Sequence, residues 1–152
     1  MSTSRMGRRA MPWIVLSLLL TGCQGRPSAQ PPTIRYGEEP CAQCRMLIGD
    51  ARYAAVLVTA AGEAQKFDDI GCLIRYQAQH PEPPTAVWVR AYRTDEWLAA
   101  PQAVFVHSAE LATPMGSGVV ALAADENATQ WGRRMKGKVV RFEELPDVVM
   151  RQ

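Results

Sequence analysis

Histidine is nearly absent from this chain, with only His80 and His107 among 152 residues. Neither belongs to a ligand-spaced pair, so an imidazole-based metal or acid–base centre has little to draw on. His80 stands beside Pro81 at the expected end of a helix and His107 within an expected strand, positions that suit structural or surface histidines. No Ser/His/Asp set, phosphate-binding glycine loop or well-placed carboxylate pair occurs either, so the chain is not expected to be an enzyme. Long apolar runs are also missing. The largely apolar stretch Trp13–Leu20 is too short to cross a bilayer as a helix.

What that stretch does have is the setting of an export signal. Arg5, Arg8 and Arg9 precede it and Leu20-Thr21-Gly22-Cys23 follows. Those last four residues resemble the lipobox of bacterial lipoproteins, in which the cysteine is acylated and becomes the mature N-terminus. Residues 1–22 are therefore expected to be a lipoprotein signal peptide and Cys23 the lipidation site, with an ordinary cleaved signal as the alternative. The expected location is the periplasmic side of a bacterial membrane. Gln24 replaces the aspartate that favours inner-membrane retention in some bacteria, which leaves the outer membrane open as the address. Removing residues 1–22 leaves 14 basic against 15 acidic residues, so no basic excess supports a nucleic-acid partner.

Residues 23–40 read as an acylated N-terminus and flexible tether. Gln24 to Pro40 contains four prolines, two glycines and few apolar residues. Such a segment reaches roughly 20 Å as a coil and about 50 Å when extended.

Beyond it the pattern of elements repeats. Strands are expected at Tyr53–Thr59 and Ala64–Phe67, a helix at Ile70–Gln79 and a strand at Ala86–Tyr92. The same order returns as strands at Ala103–His107 and Gly118–Ala123, a helix at Glu126–Met135 and a strand at Lys138–Phe142. The expected fold is α+β, two similar ββαβ units with mainly antiparallel sheets, the first over 41–95 and the second over 96–152. Ala128, Trp131 and Met135 form the apolar stripe of the second helix, which gives Met135 a core role. In the first helix Asp69 is the expected N-cap and Ile70, Leu73 and Ile74 the stripe. Cys72 falls about 200° from Ile70 and so points away from that stripe.

With Cys23 assigned, three cysteines remain, and they cannot all pair internally. Cys41-Ala42-Gln43-Cys44-Arg45-Met46 concentrates two thiols and a thioether in six residues. A CxxC pair alone admits zinc, a redox disulfide or copper. A zinc site wants a fourth ligand that the two histidines do not offer, whereas thiolate with thioether suits Cu(I), a soft ion content with few ligands. A thioredoxin-like dithiol would follow a strand and open a helix, and here it follows Pro40. Thiol–disulfide exchange by Cys41 and Cys44 stays as the alternative. Met115 sits in the loop Thr113-Pro114-Met115-Gly116-Ser117-Gly118 and is a candidate to close a Cys44–Met46–Met115 site. Cys72 stays open between ligand, disulfide partner and inert thiol.

These motifs, in this order after a lipobox, resemble the NosL family: Cys41-x-x-Cys44-x-Met46, Lys66-Phe67-Asp68-Asp69-Ile70-Gly71-Cys72, Trp97-Leu98 before Ala103-Val104-Phe105-Val106, and Thr113-Pro114-Met115-Gly116. Its members are copper-binding accessory lipoproteins of nitrous oxide reductase. The resemblance spans Cys41 to about Leu145 and implies two ββαβ units and a Cu(I) site with Cys44 as thiolate and Met46 and Met115 as thioether ligands. Cys41 and Cys72 are implied either as further ligands or as disulfide partners. It also implies delivery of copper to the reductase through an ABC-type membrane complex with a periplasmic partner. Arg45 stands where many members have glycine.

Overall fold

The computed structural model describes residues 30–124 and 127–151. The expected signal peptide, Cys23, and Glu126, the expected first residue of the second helix, lie outside the described residues.

The first unit consists of β1 (Ala55–Val58), β2 (Ala64–Phe67), α1 (Ile70–Gln79) and β3 (Ala86–Arg90). The second repeats it with β5 (Val104–His107), β6 (Val119–Leu122), α2 (Ala128–Arg134) and β7 (Lys138–Val140). In both, the first strand is central, pairing antiparallel with the second strand on one side and the third on the other. The fold is therefore α+β with two ββαβ units. β4 (Trp97–Ala99) lies beyond the expected 95/96 boundary yet pairs with β3, so the first sheet runs on to Ala99. α3 (Leu145–Val149) was not expected. Five residues with a proline in second place carry too little periodicity to read, but its Leu145 and Val149 are buried against the main core. No described helix is long and apolar enough to cross a membrane.

The two sheets share a core. One apolar cluster contains Val56, Phe67, Leu73 and Val89 from the first unit and Phe105, Val119, Ala121 and Val140 from the second. β6 is buried at every residue although it is the last strand of its sheet. Its free edge is covered by the first unit, where Tyr92 N–H donates to Ala121 O at 2.8 Å and Ala91 bridges Ala121. The expected stripe of α2 forms as a smaller cluster, with Ala128, Trp131 and Met135 packed on Val106, Val120 and Leu122.

The folded domain begins before residue 41. Ile34 is buried in the main core, Gly37 N–H donates to Ile48 O at 2.8 Å, and Glu39 pairs with Lys66 at 2.8 Å. Residues 34–40 were assigned to the tether on composition. One isoleucine and a few backbone pairings suffice to dock them, and composition does not register either.

Because Phe105 joins the shared core, Phe105→Ala should destabilise the whole domain by about 3–5 kcal/mol. Urea unfolding followed by tryptophan fluorescence and far-UV dichroism should give one coincident transition, and separate transitions for the two probes would contradict a shared core.

Candidate metal centre

The segment Cys41–Met46 is a closed loop rather than the start of a helix. Cys41 N–H donates to Met46 O at 2.7 Å and Arg45 N–H donates to Cys41 O at 3.0 Å. Pro40 and Leu47 form an antiparallel bridge at its neck, and Ala42 N–H donates to Lys66 O of β2 at 2.8 Å. Arg45 closes the turn at φ +68°, a left-handed conformation that costs a non-glycine residue about 1 kcal/mol. This geometry explains why glycine suits the position.

The loop is thereby laid against the start of α1. Asp69 caps that helix, its side chain accepting from Gly71 N–H at 2.6 Å, and the first turn is buried from Ile70 to Ile74. Cys72, expected to point away from the apolar stripe, is itself 1% exposed, because neighbouring segments cover this turn on more than its apolar side. On one side is the cysteine loop. On another is the Thr113–Gly118 loop, seated so closely that a Cβ on Gly71 would lie 2.4 Å from Ser117 Cβ.

The result is a compact donor cluster. Cys41, Cys44 and Cys72 Sγ and a carboxylate oxygen of Asp68 all lie within 4.8 Å of one another. All three cysteines are free thiols. Two sulfurs bound linearly at about 2.3 Å would stand about 4.6 Å apart, so the cluster is of a size to hold one ion. Cys41, Asp68 and Cys72 are buried, and Cys44 is partly exposed with its Sγ 3.4 Å from Asp68 Oδ1.

Four acidic groups this close cannot all be charged in a buried site. Cys41 takes the first negative charge. The Cys72 thiol donates to it and the N–H groups of Cys44, Asp68 and Gln43 point at its sulfur, lowering it from 9.0 to about 4 against the effect of burial. The others move up. Its hydrogen bond to Cys41 raises Cys72 strongly, burial and then Cys41 raise Cys44 to about 11, and burial and then Cys41 raise Asp68 to about 6. A cation entering the cluster meets one ready thiolate and releases protons as further thiols join.

Of the expected site residues, the structure brings Cys41, Cys44 and Cys72 together. Met46 lies beside them in sequence and is 61% exposed. Met115 is 39% exposed, and its N–H donates to Asp69 Oδ2 at 2.9 Å, which ties its loop to the residue following Asp68. Asp68 was missed as a donor. The Asp68-Asp69 pair at a helix start reads as capping, and only the fold shows that one carboxylate caps while the other faces the thiols. Asp68 also removes one argument against zinc, since it completes a Cys3Asp set. The case for Cu(I) then rests on the two solvent-facing thioethers. Neither histidine joins the cluster: His80 stacks on Tyr76 at 3.9 Å and His107 stands in β5.

In reduced, metal-free protein carrying Cys23→Ser, the far-ultraviolet absorbance of one thiolate per chain should be present at neutral pH. It should be lost as the pH falls through about 4, with a second thiolate appearing only near about 11. A chain with no thiolate at neutral pH would contradict this electrostatic arrangement.

The NosL family model matches residues 33–150. No curated protein sequence matches the chain. Among solved structures, the crystal structure of the copper chaperone NosL from Shewanella denitrificans superposes with a TM-score of 0.66 at 19% identity, covering 78% of this chain and 96% of that one. At that identity the likeness speaks for the fold, and it agrees with the paired ββαβ units described above. With the family match running from before the cysteine loop to the end of α3, the chain belongs to the NosL family.

Proposed function

We propose that this chain is a lipid-anchored Cu(I) chaperone on the periplasmic side of a bacterial membrane, supplying copper for the maturation of nitrous oxide reductase. The observation that carries the reading is the gathering of three free thiols at the start of α1, with Met46 exposed beside them and the Met115 loop tied to the same helix turn. Cys44, Met46 and Met115 are the proposed ligands. Cys44 is the cluster thiol that reaches partly to the surface, and neutral thioethers can be displaced one at a time by an acceptor's donors. Cys41 and Cys72 stand behind it as further sulfur donors. The proposed acceptor is an ABC-type membrane complex with a periplasmic partner. Acylation at Cys23 would hold the chaperone beside it, and the outer membrane is the other address that Gln24 allows.

The chemistry of a chaperone needs tight binding together with a route out. Burial of Cys41 and Cys72 keeps water and oxidants from the sulfurs. Exposure of Met46 leaves one side of the site open to an incoming ligand. Thiol–disulfide exchange is supported less well. The one thiol with a lowered pKa, Cys41, is 0% exposed, and the partly exposed Cys44 is raised, so the accessible sulfur is the poorer nucleophile.

An anaerobic Cu(I) titration of the reduced full chain in detergent, against a chromophoric chelator, tests the reading. One ion per chain is expected, with Met46→Ala and Met115→Ala each weakening binding about tenfold or more. Affinity no better than that of a short thiol peptide would sink the copper reading. Separately, Cys23→Ser should move the protein from the membrane fraction to the soluble periplasm; unchanged fractionation would reject the lipid anchor.

A further inference from the structure

We infer that Asp69 is a positioning residue for the metal site, holding the Met115 loop of the second unit against the thiol cluster of the first. The inference rests on the reading of Met115 as a copper ligand.

Asp69 is 0% exposed and spends both oxygens on backbone donors from different parts of the chain. Oδ1 accepts from Gly71 N–H at 2.6 Å, the helix cap, and Oδ2 accepts from Met115 N–H at 2.9 Å, across 46 residues. Its own carbonyl accepts from Cys72 N–H at 3.0 Å. Asp69 is thus bonded to Asp68 through the chain, to Cys72 through the first helix turn, and to Met115 through its side chain.

The loop is built to be held there. Gly118 N–H donates to Thr113 Oγ1 at 3.2 Å and Gly116 N–H to Thr113 O at 3.0 Å, so the turn carrying Met115 has its own internal frame. Tyr53 O–H donates to Ala112 O at 3.3 Å at its entrance. The missing Cβ of Gly71 lets Ser117 approach the first turn of α1. What remains to be set is where the frame sits relative to the thiols, and the Asp69 carboxylate sets it. A capping aspartate whose second oxygen serves a ligand-bearing loop makes the site depend on the docking of the two units.

The test uses Cu(I) affinity of the reduced full chain in detergent, with Asp69→Asn, Asp69→Ser, Gly71→Ala, Met115→Ala and the Asp69→Asn/Met115→Ala pair. Asparagine and serine both cap helices, so α1 is kept while the second acceptor is lost. Each single change at Asp69 should weaken Cu(I) binding about 10–100-fold, the range for residues that orient a ligand. Gly71→Ala, whose Cβ would push Ser117 away and stand 3.0 Å from Asp69 Oδ1, disturbs the same contact from the loop side and should do the same. The decisive reading is the pair. Asp69→Asn should cost nothing further once Met115 is alanine, and the Cu(I)-induced shift of the Met115 methyl carbon resonance should shrink in Asp69→Asn. Additive losses in the pair would assign Asp69 a general structural role and overturn the inference. Unchanged affinity in both Asp69 variants beside a weakened Met115→Ala would overturn it alone, whereas unchanged affinity in Met115→Ala would remove the ligand reading and this role with it.

Discussion

The capping of α1 by Asp69 is the interaction on which the arrangement of the site depends. A helix start carries N–H groups without partners in the helix, and they must be met when that start is buried. Here the first turn is covered by the cysteine loop and by the Met115 loop, so capping, burial and docking are solved together. Cys72 is carried into the interior by the same turn. The three cysteines are separated by up to 31 positions, yet they meet because Ala42 is pinned to the end of β2 and α1 begins three residues beyond that strand.

Burying thiols beside a carboxylate creates an electrostatic problem that a metal ion resolves. Without a cation the cluster supports one thiolate, at Cys41, fed by three backbone N–H groups and the Cys72 thiol. The remaining thiols stay protonated to higher pH, Cys72 chiefly because its proton is held in the hydrogen bond to Cys41, and Cys44 chiefly because burial and then the nearby Cys41 disfavour a second charge. In the proposed chaperone an incoming Cu(I) offsets this charge, and its departure requires donors that replace sulfur one at a time. The partly exposed Cys44 and the exposed Met46 mark the side from which such donors arrive.

The duplicated ββαβ order gives the two units matching sheets, but they are not independent. The buried edge of β6 and the shared cluster around Phe105 make each unit complete the other's core. That coupling places a loop of the second sheet over a helix of the first. A site drawing on both units is then sensitive to how they dock, as a site within one unit would not be.

Much of this was legible in the amino-acid order. The β2 and α1 limits, Ala64–Phe67 and Ile70–Gln79, follow from alternation, the Asp69 cap and the 3.6-residue stripe, all local effects. The remaining strands came out shorter by one to three residues, since ladder ends depend on partners. Local chemistry likewise marked Cys41, Cys44, Met46, Cys72 and Met115 as soft donors. Tertiary structure alone decided that Cys72 faces Cys41, that Asp68 joins the thiols while Asp69 caps, and that residues 34–40 belong to the domain. It alone also tied the Met115 loop to α1. Side-chain type and periodicity are properties of neighbouring residues, whereas which donors converge is set by packing between segments far apart in the chain.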